Sequence, residues 1–246
     1  MKKIVGRMHS IETLGTRDGP GLRCVFFLAG CNFRCRFCQN PDTWSVRGSD
    51  KMTLAQAKSR LLPLLPYLRQ RGGGVTASGG EPTLQADFVR ALFRLAHDLG
   101  LSTALDTNGS CAPSKRAALL RVTDRVLLDV KASRDALHRR LTGRPLGPTL
   151  AFGRLAAGKP GRLRIRRVLL PGLNDDASEL HALADYALGL PHLPDVELIP
   201  YHRLGAHKWR ELGLAYPLDR MIPPTAARLR RATALLARRG LAVVPG

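Results

Sequence analysis

The chain has no apolar run long enough to cross a bilayer. Stretches such as "VLLPGL" (Val168 to Leu173) stop far short of the ~20 residues a membrane helix needs. The N-terminus, "MKKIVGRMHSIETLG", has two lysines but no apolar core, because Arg7, His9 and Glu12 interrupt it. It does not read as a secretory signal. The expectation is a cytoplasmic, reducing location with no membrane partner. Cysteine is scarce and its number is odd: five in 246 residues, which argues against a disulfide framework. Aromatic residues are 5% of the chain, and none interleave with the basic runs. Nucleic acid is therefore not an expected partner, since single-strand binders need stacking rings. Acidic residues are also few, 19 against 39 basic ones, for a formal charge of +20. Only 8 of the 39 are lysine. The arginines are scattered, with modest clusters at "RLRIRR" (Arg162 to Arg167) and "RLRRATALLARR" (Arg228 to Arg239). They read as solvated helix faces and rims, or alternatively as a basic surface for an acidic partner. No low-complexity segment or linker divides the chain, so a single domain over residues 1–246 is expected.

What is present is an alternation. Short apolar, partly β-branched runs predict strands at Leu22 to Ala29, Gly73 to Ser78, Ser102 to Thr107, Arg125 to Val130, Leu163 to Leu170 and Asp195 to Pro200. Helix-like stretches lie between them. In the clearest, Leu84, Phe88, Leu92, Leu95 and Leu99 recur at helical steps. Others run from about Ser178 to Leu190 and from about Thr225 to Arg239. Thr53 to Arg71 is helical in pattern, but Pro63 and Pro66 predict a break. Strand followed by helix, six times, predicts an α/β fold with a parallel sheet. Special residues follow each strand: a cysteine loop, then "SGGEP", "DTNG", "DVK", "LPGLND" and "PYH". Parallel α/β folds gather their chemistry at the carboxyl ends of strands, which predicts one pocket.

The cysteine loop is "GCNFRCRFCQN", Gly30 to Asn40, with Cys31, Cys35 and Cys38 spaced CxxxCxxC. Thiolates suit zinc or iron–sulfur clusters. A structural zinc wants four closed ligands, and no histidine follows at finger spacing. Three thiolates on a [4Fe–4S] cube leave one iron open to a small molecule. Arg34 and Arg36 either favour the thiolate form or point into solvent. Phe37 suits a core position or a stacking ring equally. Cys24 and Cys111 stand apart and read as buried, unreactive thiols.

CxxxCxxC after the first strand, with "GGEP" at Gly79 to Pro82, resembles the signature of the radical S-adenosylmethionine superfamily. The likeness narrows with "GTRDGPGLRCVFFLAGC", "QNPDTW", "GGGVTASGGEPTLQADF", "LDTNG", "LLDVK", "VLLPGLNDD" and "LIPYHRLGAHKW". In this order they resemble the pyruvate formate-lyase activating enzymes, over nearly the whole chain.

That resemblance implies a partial (β/α)6 TIM-like barrel and a glycyl radical enzyme activase, an oxidoreductase of anaerobic glucose metabolism. It implies a [4Fe–4S] cluster held by Cys31, Cys35 and Cys38, and S-adenosylmethionine cleaved to a 5′-deoxyadenosyl radical. The radical takes hydrogen from a glycine Cα of a pyruvate formate-lyase type partner. Cofactor contacts are expected at Phe37, Cys38, Gln39, Gly79, Gly80, Asp129, Val130, Lys131, Arg166 and His202. Asp129 and Lys131 share one face by the two-residue period and suit a zwitterion, or else an ordinary surface ion pair. Arg166 lies in an apolar strand and should reach a carboxylate. His207, Lys208 and Trp209 are expected to hold their loop. Asp106, Thr107 and Asp129 match positions for a monovalent cation, and Asp18 matches a contact to the partner's glycine loop. A flavodoxin-like donor would be drawn to the positive charge. Gln39 departs from relatives that carry histidine there, and glutamine does not titrate. Extra cysteine clusters of a ferredoxin-like insert are lacking. The alternatives are an activase of another glycyl radical enzyme, or a zinc-stabilised nucleic-acid-binding module.

Overall fold

The structure is a computed structural model that describes residues 4–245. Lys2 and Lys3, which entered the reading of the N-terminus, lie outside the described residues. The chain divides into two compact units, Met1–Asn32 with Thr43–Leu127, and Phe33–Asp42 with Leu128–Gly246.

The first unit holds β1 (Val5–Gly15), β2 (Arg23–Leu28), β3 (Asp50–Thr53), α1 (Leu54–Leu61), α2 (Leu65–Leu68), β4 (Gly74–Gly79), α3 (Ala86–Asp98), β5 (Ser102–Thr107) and α4 (Pro113–Leu120). Its strand order is β3-β1-β2-β4-β5. β2, β4 and β5 run parallel, as the crossovers require. β1 pairs antiparallel with both β2 and β3. β1 and β3 stand outside the strands expected from the sequence. β1 buries only Gly6, Met8 and Gly15, so its apolar signal is weak. β3 is four residues long with no buried side chain.

Local chemistry explains the helix boundaries. Thr53 caps α1: its hydroxyl accepts from the Gln56 N–H, and the Gln56 side chain accepts from the Thr53 N–H at 2.8 Å. Pro63 and Pro66 split the expected long helix into α1, a 3-10 turn and α2, because a proline nitrogen cannot donate within a helix. The expected apolar stripe of α3 needs correction. Leu84 precedes the helix and is half exposed, and the buried face is Ala86, Phe88, Val89, Leu92, Phe93 and Ala96.

β6 (Arg125–Asp129) leads into the second unit. There follow α5 (Asp135–Thr142), α6 (Gly147–Ala156), β7 (Leu163–Leu169), α7 (Ala177–Leu188), β8 (Asp195–Pro200), α8 (Ala206–Glu211), α9 (Ala226–Arg238) and β9 (Val243–Pro245). β7, β8 and β9 are parallel neighbours. β9 was not expected, since three residues carry too little pattern. α7 and α9 begin at Asp176 and Thr225, whose side chains accept from the N–H groups of Glu179 and Arg228. β7 alternates buried and half-buried positions with the two-residue period. Leu163, Ile165, Arg167 and Leu169 face inward, so the fully buried arginine is Arg167 and not Arg166.

Candidate active site

In the first unit, a buried glutamate ties together the loops that follow β2, β4 and β5. Glu81 has no exposed surface. One carboxylate oxygen accepts from the Thr83 N–H (2.9 Å), the Thr83 hydroxyl (2.5 Å) and the Thr107 hydroxyl (2.7 Å), and the other from the Asn108 N–H (2.7 Å). Burial pushes its carboxyl up, against the hydrogen bonds that favour the anion. Its own N–H donates to the Gly30 carbonyl at 2.8 Å. Asn32 completes the tie, accepting from the Ser110 hydroxyl at 3.0 Å. In the sequence Glu81 shows only as a neighbour of the glycines in "SGGEP".

Gly79 and Gly80 sit at this junction. Gly79 has φ +113°, and a Cβ there would lie 2.3 Å from the Leu28 nitrogen. A Cβ on Gly80 would lie 2.4 Å from the Gly30 carbonyl oxygen. The crowding atoms are therefore protein backbone, so close packing of two loops already demands both glycines. The Gly80 N–H donates to the Leu28 carbonyl at 2.9 Å. Cys31 is half-buried, and its N–H donates to the Trp44 carbonyl at 3.2 Å.

Asp18 lies in a turn fixed from beneath. Its carbonyl accepts from the Thr76 hydroxyl at 2.7 Å. The fully buried Arg23 bonds to that hydroxyl (3.0 Å), to the Pro20 carbonyl (3.2 Å) and to the Ser102 hydroxyl (2.6 Å). Burial lowers the Arg23 pKa to about 10, which leaves it charged at neutral pH.

In the second unit the cysteine loop is pinned from two sides. The Arg34 and Arg36 N–H groups donate to the carbonyls of Thr142 (2.8 Å) and Leu141 (2.9 Å). These are end carbonyls of α5, which lack helical partners and need outside donors. From the other side, the Trp209 indole donates to the Cys38 carbonyl at 2.9 Å, and Lys208 reaches Asn40 (2.8 Å) and Asp42 (3.0 Å). Gln39 bonds to the loop after β8 at His202 and Gly205. His207 bonds its own turn at the Leu204 carbonyl, 2.8 Å. Residues 207–209 thus hold their loop as expected, and also clamp the cysteine loop. Cys35 is buried and Cys38 half-buried, and none of the five cysteines forms a disulfide. Cys24 and Cys111 are buried, and burial pushes their thiols up to about 12 and about 11.

Asp129 and Lys131 project together, with Nζ 2.5 Å from the carboxylate and 5.6 Å from the Phe37 ring centroid. They are three-quarters or more buried, so this is no surface ion pair. Phe37 is buried. A second buried network holds this segment. Arg167 donates to the Val130 carbonyl (2.5 Å) and the Ser133 hydroxyl (2.8 Å) and lies 3.6 Å from Glu179. Asn174, from "LPGLND", donates to the carbonyls of Lys131 (3.0 Å) and Val168 (2.9 Å). Arg166 meets a carboxylate of this chain: Glu197 lies opposite it in register, 3.6 Å away. His202 is exposed. Asp106 accepts from Ser78 (2.8 Å), Thr107 donates to Glu81, and Asp129 holds Lys131, so each suggested cation donor has a protein partner.

Comparison with known proteins follows the same lines. The Radical SAM superfamily matches residues 25–184. The chain is 40% identical to the pyruvate formate-lyase 1-activating enzyme of Escherichia coli (strain K12) over 239 residues, 96% of this chain and 97% of that one. It is 42% identical to the pyruvate formate-lyase-activating enzyme of Staphylococcus aureus (strain USA300) over 228 residues, 90% and 91% of the two chains. The chain belongs to the pyruvate formate-lyase activating enzymes of the radical SAM superfamily.

Solved structures agree. A domain of pyruvate-formate lyase-activating enzyme from Bacteroides vulgatus superposes with TM-score 0.60 at 26% identity, covering 71% of this chain and 99% of that one. A radical SAM methyltransferase from Sphaerobacter thermophilus shares the fold, with TM-score 0.69 at 17% identity over 99% of this chain and 77% of that one. The fold class is the open, mostly parallel α/β sheet of the radical SAM type, consistent with a partial TIM barrel.

Cofactors of the radical SAM family are a [4Fe–4S] cluster and S-adenosylmethionine. The donor set fits the cluster: three thiols that form no disulfide lie within eight residues, on backbone fixed by hydrogen bonds around Cys31, Cys35 and Cys38. Among the described residues no three His, Cys, Asp or Glu side chains gather as around a single metal ion. A cube spreads its thiolates over separate corners, so it does not ask for that tight grouping.

Proposed function

We propose that this chain is a glycyl radical enzyme activase acting on pyruvate formate-lyase. The observation that carries the reading is the family match over 96% of this chain combined with a cysteine loop whose backbone is fixed and whose thiols form no disulfide. Cys31, Cys35 and Cys38 would hold the cluster. The chemistry that group would supply when bound is one-electron reductive cleavage of S-adenosylmethionine to methionine and a 5′-deoxyadenosyl radical, which would take hydrogen from a glycine Cα of the partner.

The residues of the chain have distinct tasks in this reading. Lys131 and Asp129 offer a cation and an anion to the carboxylate and amino group of the methionyl part. Their own pairing keeps both charges compensated before the cofactor arrives. Arg166, balanced by Glu197, adds positive potential from β7. Phe37 offers an apolar ring beneath Lys131, Val130 a fixed backbone, and His202 an exposed imidazole for the nucleoside. Gly79 and Gly80 present bare backbone in the first unit. Asp18, on its fixed turn, faces the glycine loop of the partner. The electron donor is an acidic protein of the flavodoxin type, and the reaction belongs to the cytoplasm.

The test is anaerobic. Reconstituted, reduced protein is mixed with S-adenosylmethionine and pyruvate formate-lyase, and a glycyl radical signal is sought by electron paramagnetic resonance. The signal is expected. If S-adenosylmethionine is cleaved but that partner stays silent while another glycyl radical enzyme responds, the partner assignment is wrong. Zinc without acid-labile sulfide would overturn the whole reading.

A further inference from the structure

Gln39 lies 166 positions from Gly205, yet the two are in direct contact, with the Gly205 N–H 2.7 Å from the Gln39 side-chain oxygen. The Gln39 amide is used at both ends. Nε2 donates to the His202 carbonyl (2.9 Å) and the Phe37 carbonyl (3.2 Å), and Oε1 accepts from the Gly205 N–H (2.7 Å). Two carbonyls on one side and an N–H on the other fix which end is nitrogen. The set requires two donors and one acceptor on one side chain. A primary amide meets it, whereas a neutral imidazole has one donor and a charged one has no acceptor. A carboxylate would keep the Gly205 bond and turn oxygen toward two carbonyls.

Gly205 is the other half of the contact. A Cβ on it would lie 2.3 Å from the Gln39 carbonyl oxygen and 2.6 Å from its Cα. Its backbone has an ordinary negative φ, so strain is not the reason for glycine here. The reason is the close approach of two loops. One of them carries Cys38 and the other carries His202 and leads into the Trp209 bond to the Cys38 carbonyl.

We propose that Gln39 and Gly205 form a latch that fastens the loop after β8 to the end of the cysteine loop, and that both are positioning residues for S-adenosylmethionine. The latch orders residues 202–205 before the cofactor arrives, so that ordering is not charged against binding. This role rests on the proposed activase function, but the latch itself is measurable without it.

The experiment compares wild type with Gln39→Ala, Gln39→Glu and Gly205→Ala. Amide hydrogen exchange on the metal-free protein reads the latch alone. Wild type should protect the Gly205 amide. Gln39→Ala and Gly205→Ala should lose that protection and expose residues 202–205, while Gln39→Glu keeps the Gly205 amide protected. On the reconstituted protein, both alanine variants should bind iron as wild type does. Their KM for S-adenosylmethionine should rise roughly tenfold, as for loss of a hydrogen bond or two, with kcat changed less. Unaltered exchange in both alanine variants would overturn the latch. Lost protection with an unchanged KM would overturn the positioning role. A wild type that protects Gly205 but never binds S-adenosylmethionine would overturn the activase reading and the positioning role with it.

Discussion

At the scale of single residues, the five cysteines separate by environment. Cys24 and Cys111 are raised well above the neutral range by burial and lack thiolate character, so they cannot substitute as ligands. Cys35→Ser should therefore cut S-adenosylmethionine cleavage by about two orders of magnitude or more and lower bound iron. Cys24→Ala should leave iron content as in wild type. Iron and sulfide analysis with assay of 5′-deoxyadenosine checks both, and near-normal cleavage by Cys35→Ser would contradict the ligand assignment. The Asp129–Lys131 pair permits a sharper test. Its geometry uses the two-residue period that was legible in "DVK", whereas its burial was not. Lys131→Met leaves Asp129 largely buried without its cation and removes the positive partner of a carboxylate. The KM for S-adenosylmethionine should rise roughly tenfold or more, on the scale of a lost charge-assisted bond. An unchanged KM would return the pair to a purely structural role.

At the scale of elements, the parallel strands were readable because each is an apolar run bounded by polar or glycine residues. β5 and β8 run over the residues expected. β1 escaped because most of its side chains meet solvent, and β3 and β9 because they are short. The motif loops were legible as chemistry, but not the buried groups that hold them. Parity along β7 decides that Arg167 and not Arg166 is fully buried, and one residue of uncertainty in register hides this. Arg167→Met should remove the bond to Val130 and leave the buried Glu179 carboxylate with the half-exposed Arg134, 3.9 Å away, and the Ser133 N–H. A cost of about 3–5 kcal/mol is expected from thermal or urea unfolding. α5 yields a pH prediction. His138 is buried against Phe33, edge to face at 5.6 Å, and burial pushes its pKa down, opposed by the hydrogen bond to the Arg144 carbonyl and by Asp135, with Lys131 and Arg167 adding to the effect. Nδ1 lies 2.8 Å from the Arg144 carbonyl and serves as the donor, while Nε2 is buried with no partner among the described residues. A proton on Nε2 would be buried without an acceptor, so the native ring is neutral. The unfolded histidine titrates near its ordinary value of 6.5 and the native one lower. Between those two pKa values the unfolded state binds more protons, so stability falls as pH falls below 6.5. The slope is up to about 1.4 kcal/mol per pH unit and ends at the native pKa. Urea midpoints from pH 7 to pH 5, compared with His138→Gln, should show this component in wild type alone.

At the scale of the whole molecule, the charge of +20 asks whether the field is local or diffuse. Many arginines are spent internally. Arg23 and Arg167 are buried, Arg166 and Arg164 share Glu197, and Arg228 holds Asp175 at 2.7 Å. The exposed remainder is spread over both units, which favours a diffuse field over a single patch. A diffuse field steers an acidic electron donor by its sum, and salt screens it with a Debye length of about 10 Å at 0.1 M. Reduction by a flavodoxin-like protein should slow steeply as salt rises, while reduction by a small uncharged reductant should not. Arg220 and Arg231 line an open groove of ≈ 470 Å³ with Met221 and Ile222, where a local patch would form. Arg220→Glu with Arg231→Glu takes the formal charge from +20 to +16, a change of −2 at each site. For a diffuse field the salt dependence should weaken by on the order of a fifth, in proportion to the charge removed. Stopped-flow reduction at several ionic strengths measures this directly. Loss of most of the salt dependence in the double variant would locate donor steering at that groove and refute the diffuse account.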